Sequence, residues 1–142
     1  AREGAMHGVP AVAFSLAARP TEGFTAVVPA LRDVVCAVLS HGLPDGFFLN
    51  VNLPLAPAVP LRYRLTRLGR RVYTAEVLRR VDPRGSDYLW IGGGFPPFEP
   101  TPGVDSAALL EDAVSVTPLS ALGAPAAPPP AIAAWPLFGD AP

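Results

Sequence analysis

Arginine is the side chain that offers the most chemistry in this sequence, and it is concentrated in one segment. The chain has 142 residues and no lysine, and eight of its 11 basic residues lie between Arg62 and Arg84, against the two acids Glu76 and Asp82. This local excess of six positive charges could attract a phosphorylated ligand. Arginines on a β-strand alternate between its faces, however, so they cannot all converge on one phosphate. The segment is therefore more typical of a solvated hairpin or a subunit interface, where arginine and tyrosine are common.

Metal ligands and nucleophiles do not form a recognisable motif. His7 and His41 lie in different segments, and the Asp and Glu residues are scattered singly, without the spacing of a zinc or calcium site. The sequence contains no P-loop, nucleophile elbow or His-Glu-x-x-His motif. Cys36 lies in an apolar, helical segment, which predicts a buried small hydrophobe. The residues alone therefore predict no complete active site.

Composition excludes several other classes of protein. The net charge is −1, which gives no indication of a nucleic-acid binder. The one long uncharged run, residues 113–139, is interrupted by six prolines, so no segment is predicted to span a membrane. No signal-peptide pattern is present, and a single cysteine fits a reducing compartment. We expect a soluble, cytoplasmic protein.

The element around which the chain is organised is the short apolar run Phe47–Pro54, with the sequence FFLNVNLP. It predicts a strand that is buried on both faces, as in a parallel sheet. Its polar side chains, Asn50 and Asn52, fall on one face because side chains alternate along a strand. They either bond to loop backbone or edge a ligand crevice at the carboxyl end of the strand.

The preceding segments predict the other parts of a βαβ unit. Residues 1–7 resemble the end of a helix that stops at Gly8, and Pro10–Leu16 is predicted to be a second buried strand. A helix is expected over Phe24–Ser40, with Pro29 in its first turn. Parallel sheets need several strands and cover on both faces, so we expect this unit to belong to a larger α/β domain whose other strands lie upstream.

After Pro54 the pattern changes to shorter elements. We predict, in order, a half-exposed strand with Arg62, Arg64 and Thr66 on its outer face, a hairpin, a short helix capped by Asp105, and a last strand at Ala113–Val116. The hairpin would join Val72–Val81 to Tyr88–Ile91 through the turn Asp82–Gly85. Four segments are therefore expected: the second half of an α/β core (1–54), an arginine-rich hairpin extension (55–103), the short helix and last strand (104–120), and a disordered Pro/Ala-rich tail (121–142).

Five blocks of this sequence, in order, resemble the carboxyl-terminal half of the SurE (survival protein E) nucleotidase family. They are AREGAMHGVP (1–10), LNVNLP (49–54), TRLGRRVY (66–73), DPRG followed by YLWIGG (82–93), and VSVTPL (114–119). Each block alone is a weak signal, but five in the right order form a strong one. Val104 departs from the family pattern, which commonly has threonine at this position before the last short helix.

The resemblance implies a metal-dependent phosphomonoesterase that acts on nucleoside monophosphates and uses Mg²⁺ or Mn²⁺. It implies an incomplete three-layer, Rossmann-like parallel sheet with a projecting β-hairpin arm that forms a homodimer or homotetramer. The family's metal ligands and phosphate-contacting turn would lie upstream of Ala1, so no catalytic residue or metal ligand is transferred to this chain. Substrate-pocket candidates are Asn52, Thr66 and Arg67, and the oligomer-arm candidates are Tyr73, Arg79, Arg80, Tyr88 and Trp90.

Two hypotheses follow from the resemblance. In the first, the chain is the carboxyl-terminal part of a nucleotidase and is inactive alone because the metal-binding half is missing. In the second, it is a non-catalytic, truncated paralogue that binds itself or an intact SurE-like chain through the hairpin.

Overall fold

A four-stranded mixed sheet forms the core of the protein. The computed structural model describes residues 1–17, 24–70, 77–91, 101–123 and 127–139. In the core sheet the strands follow the order β1-β2-β6-β3, and β4 and β5 form a separate two-stranded sheet. The elements are α1 (Arg2–Met6), β1 (Val12–Ala17), α2 (Phe24–His41), β2 (Phe47–Pro54), β3 (Tyr63–Leu65), β4 (Val77–Val81), β5 (Asp87–Ile91), α3 (Asp105–Leu110), β6 (Val114–Ser120), α4 (Pro130–Ala133) and a 3₁₀ turn (Pro136–Phe138).

The predicted βαβ unit is present. Strands β1 and β2 pair in parallel, with Val12 opposite Leu49, and α2 connects them in the sequence. The helix end at residues 1–7 is also confirmed, since α1 stops before His7 and Gly8 takes a positive φ of 72°. The position of Pro29 was predicted wrongly, because α2 begins at Phe24 and Pro29 is its sixth residue. It therefore lies inside the helix, where its missing N–H removes one helical hydrogen bond.

One face of α2 packs on the sheet. Its buried side chains are Val27, Ala30, Val34 and Val38. The prediction that Cys36 is buried is wrong, since this cysteine is exposed. Successive helical residues are about 100° apart, so Cys36 lies about 200° from Val34 and Val38 and faces outward.

The last strand differs from the prediction in length and direction. Strand β6 runs to Ser120, four residues beyond the expected end, and pairs antiparallel with β2 and parallel with β3. The sheet is therefore mixed rather than wholly parallel, although its α/β, Rossmann-like character is as predicted. Alternation gives the sheet an apolar face that contacts α2 and an opposite face on which α1 and α3 pack, with Leu49, Val51, Leu53, Val114 and Val116 in the apolar core.

The prediction of a disordered tail from Ala121 onward does not agree with the structure. Residues 127–139 form α4 and the 3₁₀ turn, and Ile132 and Trp135 are buried in the core. The Trp135 ring stacks on the ring of His41 at the end of α2, with 5.8 Å between ring centroids. The low complexity of the tail misled the prediction, because two large apolar side chains are sufficient to anchor this short segment.

The hairpin forms a second compact unit, Arg70–Glu99, of which residues 77–91 and Arg70 are described. Strands β4 and β5 pair antiparallel, as predicted, with Arg80 opposite Tyr88. The predicted turn is present, and the N–H of Gly85 donates to the carbonyl oxygen of Asp82 over 3.0 Å. The Asp82 carboxylate also accepts from the N–H groups of Arg84 and Ser86, so the turn is held by its own polar groups.

No helix within the described ranges is both long enough and apolar enough to cross a bilayer.

Candidate functional site

A cluster of three buried hydroxyl groups lies on the face of the sheet opposite α2. Thr66 Oγ1 is 2.8 Å from Ser115 Oγ and 2.7 Å from Thr117 Oγ1. Thr66 is only 2% exposed, and Ser115 and Thr117 are fully buried. Buried hydroxyls need partners, and here they provide them for one another. These side-chain hydrogen bonds therefore connect the residue that follows β3 to the centre of β6.

The structure places Thr66 differently from the sequence prediction. Thr66 was expected on an exposed strand face with Arg62 and Arg64, and those two arginines are indeed exposed. Strand β3 ends at Leu65, however, and the N–H of Thr66 donates to the Val116 carbonyl oxygen over 2.9 Å. Its side chain does lie on the predicted face, because Arg64 on that face is the register partner of Ser115, but it is buried there against Ser115 and Thr117 and not exposed. Thr66 also borders a cavity of about 120 Å³ beside α3.

Asn52 lies beside this cluster. In the sheet register it is opposite Ser115 on β6 and opposite Ser15 on β1, while Asn50 is opposite Thr117 and Ala13. Both asparagines are partly buried, and neither carboxamide is hydrogen-bonded to another described residue. The expected bonds to loop backbone are therefore not seen in the described part of the chain. By alternation the two amides lie on the face of the sheet that carries Ser115 and Thr117.

Arg67 is separated from these groups. Its side chain is exposed, and its guanidinium donates to the Pro102 carbonyl oxygen over 3.2 Å. Its backbone N–H donates to Gly103 and its carbonyl accepts from Asp105, so it joins the segment after β3 to the segment before α3. The structure therefore brings Asn52 and Thr66 to the two sides of Ser115 and leaves Arg67 outside this group.

Three polar residues of this face were missed from the sequence. Ser15 and Ser115 were treated only as parts of predicted strands, and Thr117 only as part of the block VSVTPL. Their signal was the alternation of valine with a hydroxyl residue in VSVT, which places both hydroxyls on one side of a strand. Pairing with a polar position on the neighbouring strand could not be deduced without the register.

Asp105 was predicted to cap the short helix that is now α3, and its role is different. Val104 occupies the N-cap position, without a side-chain cap, and Asp105 is the first helical residue. The Asp105 carboxylate accepts from the N–H groups of Gly69, over 3.0 Å, and Ser106, over 2.8 Å. It therefore connects α3 to the segment that leads to the hairpin.

A tyrosine and a carboxylate link α2 to β3 on the apolar side of the sheet. The Tyr63 hydroxyl donates to Asp33 Oδ2 over 2.7 Å. Burial, followed by this hydrogen bond and the negative charge of Asp33, raises the pKa of Tyr63 above its ordinary value. The phenol therefore stays neutral and acts as a structural donor.

A divalent metal, which the family resemblance implies, has no cage in the described residues. Within those ranges no group of three His, Cys, Asp or Glu side chains could hold an ion. Three of the acidic side chains are paired within the chain: Glu3 with His7, Glu111 with Arg64, and Asp105 with backbone N–H groups. We assign no metal ligand to this chain.

The hairpin residues predicted to form an oligomer arm are exposed where they are described. Leu78, Arg80, Tyr88 and Trp90 share one face of the ribbon, because Leu78 is opposite Trp90 and Arg80 is opposite Tyr88. Arg79 lies on the other face and pairs diagonally with Asp87. Trp90 is 57% exposed and Leu89 is 64% exposed. Tyr73 lies outside the described residues.

Comparison with known families gives a match over the first half of the chain. The model of the family "Survival protein SurE" matches residues 1–75. Similar curated proteins, each named "5'-nucleotidase SurE", include one from Myxococcus xanthus, 47% identical over 120 residues, and one from Anaeromyxobacter dehalogenans, 46% identical over 121 residues. These matches cover 84% of this chain but 45% and 47% of the two relatives. The chain thus spans about half the length of the curated relatives it matches.

A solved structure agrees with the sequence comparisons. The SurE protein from Aquifex aeolicus superimposes with a TM-score of 0.71 at 34% sequence identity. The match covers 85% of this chain and 49% of that protein, so the fold and the share of the length agree with the sequence comparisons.

Proposed function

Because the chain belongs to the SurE family, we propose that it forms the carboxyl-terminal part of a nucleotidase acting on nucleoside monophosphates. The reaction would add water across the phosphate ester and release a nucleoside and inorganic phosphate. The observation that carries this proposal is the 47% identity to a protein named 5'-nucleotidase SurE over 84% of the chain. The covered share of that relative, 45%, supports the view that other parts of the catalytic apparatus lie in sequence this chain does not include.

The chain would contribute the sheet and one wall of the substrate crevice. Ligands of α/β proteins bind outside the carboxyl ends of parallel strands, and Asn52 is near the carboxyl end of β2. Asn52 is therefore the side chain we assign to substrate contact. Thr66 would act by fixing Ser115 beside it, and Arg67 by holding the segment before α3. The Mg²⁺ or Mn²⁺ ligands would be supplied by the remaining part of the enzyme.

Reconstitution tests this proposal. The 142-residue chain is co-expressed with the amino-terminal half of the Myxococcus xanthus relative, and phosphate release from AMP is measured with Mg²⁺ or Mn²⁺. We expect turnover by the complex and none by either half alone. Turnover by the 142-residue chain alone would show that it carries a complete site, and a complex without turnover would contradict the nucleotidase assignment.

The hairpin is proposed to be the contact between copies in a homodimer or homotetramer. An isolated two-stranded hairpin is marginally stable, and this one exposes Leu89 and Trp90. Covering such apolar side chains with a second copy would stabilise both. Sedimentation should show an oligomer that Tyr88→Ala/Trp90→Ala converts to a monomer. The matched control is Leu122→Ser, which removes a 95% exposed leucine from outside the hairpin and should leave the oligomer intact.

The same exposed hairpin favours a second candidate, a non-catalytic subunit. In that case the chain would bind an intact SurE-like protein without completing an active site. Co-purification with the full-length Myxococcus xanthus relative, together with failure to complement its amino-terminal half, would support this candidate over the first. For either candidate we propose a cytoplasmic location, which the single cysteine favours.

A further inference from the structure

Two polar side chains lie next to each other on strands β1 and β2, on the face of the sheet opposite α2. Ser15 on β1 and Asn52 on β2 are register partners in the parallel pair, so their side chains emerge on the same face. Each is the third residue from the end of its strand, because β1 ends at Ala17 and β2 at Pro54. Ser15 is exposed and Asn52 is partly buried. Both therefore lie near the edge of the sheet where ligands of parallel sheets bind.

The hydrogen-bonding groups of this pair are free within the described residues. On its other side Asn52 is opposite Ser115 of β6, but Ser115 is fully buried and hydrogen-bonded to Thr66. By contrast, neither Ser15 Oγ nor the Asn52 carboxamide has a partner among the residues that the structure describes. The hydroxyl of Ser115 is thus satisfied within the protein, whereas Ser15 and Asn52 present hydrogen-bond donors and acceptors to the solvent.

The neighbouring side chains indicate which part of a nucleotide could bind here. On the same face, the pair is flanked by Ala13 and Ala17 on β1 and by Asn50 and Pro54 on β2. These residues are small or non-aromatic, and Ala13 and Ala17 are exposed. Recognition of a nucleobase would use an aromatic surface for stacking, which none of these four side chains provides. The small flanking residues leave room for a sugar.

We propose that Ser15 and Asn52 bind the ribose hydroxyls of the nucleoside monophosphate and make the enzyme prefer ribonucleotides to 2′-deoxyribonucleotides. This inference rests on the proposed nucleotidase function. A carboxamide offers an acceptor and two donors, and a serine hydroxyl offers both functions, so together they match the donor and acceptor needs of a vicinal diol. A site built to hydrogen-bond a hydroxyl discriminates against the analogue that lacks it, because its polar groups lose their partner.

The test compares AMP with 2′-deoxy-AMP in the reconstituted complex. We expect kcat/KM to favour AMP by about tenfold or more, as hydroxyl recognition allows. Asn52→Ala and Ser15→Ala should each reduce that preference by lowering kcat/KM for AMP more than for 2′-deoxy-AMP, which keeps its 3′-hydroxyl but has no 2′-hydroxyl to lose a partner. Ser40→Ala, at an exposed serine near the end of α2, is the matched control and should retain the full preference.

Each other outcome decides against the proposal. An unmodified complex that hydrolyses both nucleotides equally would overturn it. Variants that lose activity equally on both nucleotides would show that Ser15 and Asn52 act on the structure and not on the ribose. The exposed position of Ser15 keeps the test valid if Asn52→Ala fails to fold. A complex that hydrolyses neither nucleotide would overturn the nucleotidase function itself, and the two failures are therefore distinguishable.

Discussion

The backbone N–H of Gly69 donates a hydrogen bond to Oδ1 of Asp105 over 3.0 Å, and a methyl group added to Gly69 would lie 2.6 Å from that same oxygen. The glycine is thus favoured by a close approach of the Asp105 side chain and not by its backbone conformation. The contact holds the last residue of the core unit before the hairpin segment begins in the sequence.

A double-mutant cycle tests this contact. Gly69→Ala should lower the free energy of unfolding by about 1–3 kcal/mol, because the added methyl group displaces the carboxylate. Asp105→Ala should lower it by about 1–3 kcal/mol, because two backbone N–H groups lose their acceptor. In the Asp105→Ala background the glycine substitution should cost much less, since the clashing atom is gone. Additive effects in urea denaturation would contradict a direct contact.

The hydroxyl cluster gives a second prediction. Thr66→Val preserves the shape of the side chain but leaves Ser115 and Thr117 buried without their shared partner. We expect a loss of about 1–3 kcal/mol of unfolding free energy, whereas Thr66→Ser keeps the hydroxyl and should cost less. Both are measured by urea denaturation of the same chain. A larger loss for Thr66→Ser than for Thr66→Val would show that the methyl group of Thr66, and not its hydroxyl, dominates stability at this position.

The sequence predicted the local elements well and the pairing between them less well. The βαβ unit follows from apolar runs and turn residues that act over short distances, and β1, α2 and β2 were found at nearly the expected bounds. The antiparallel pairing of β6 with β2 depends on contacts between residues more than 60 positions apart. No local pattern encodes that direction.

The candidate site was only partly predictable for the same reason. Asn52 was singled out because two asparagines in an apolar strand are unusual, and its role in substrate contact stays a prediction. The burial of Thr66 could not be predicted from the sequence, because it depends on hydroxyl partners from β6. Cys36 shows the converse error: its apolar neighbours suggested burial, although the helical period places it on the outer face of α2.

The docked carboxyl-terminal segment gives a third prediction, and the chain provides a matched control. Trp135 is 4% exposed and stacks on His41, whereas Trp90 is 57% exposed in the hairpin. Trp135→Ala should lower the unfolding free energy by about 3–5 kcal/mol, because it leaves a cavity in the core. Trp90→Ala, measured on the monomer at low concentration, should change it by less than about 0.5 kcal/mol. Similar small effects of both substitutions would mean that the tail does not pack on the core in solution.

The bond between Tyr63 and Asp33 predicts a loss of stability at alkaline pH. The pKa of Tyr63 is raised in the folded protein, while an unfolded tyrosine titrates at about 10. Above pH 10 the unfolded chain therefore releases a proton that the folded chain retains, and the free energy of unfolding falls as the pH rises. The contribution is fully present below pH 10 and should decline by up to about 1.4 kcal/mol per pH unit above it.

Tyr63→Phe isolates this effect. The variant should be less stable than the unmodified chain at pH 8, because the Asp33 carboxylate loses a hydrogen-bond donor. The difference between the two proteins should narrow from pH 10 upward, since phenylalanine does not titrate. The absence of lysine leaves few other groups that ionise in this range. A constant difference between Tyr63→Phe and the unmodified chain from pH 8 to pH 11 would contradict the raised pKa.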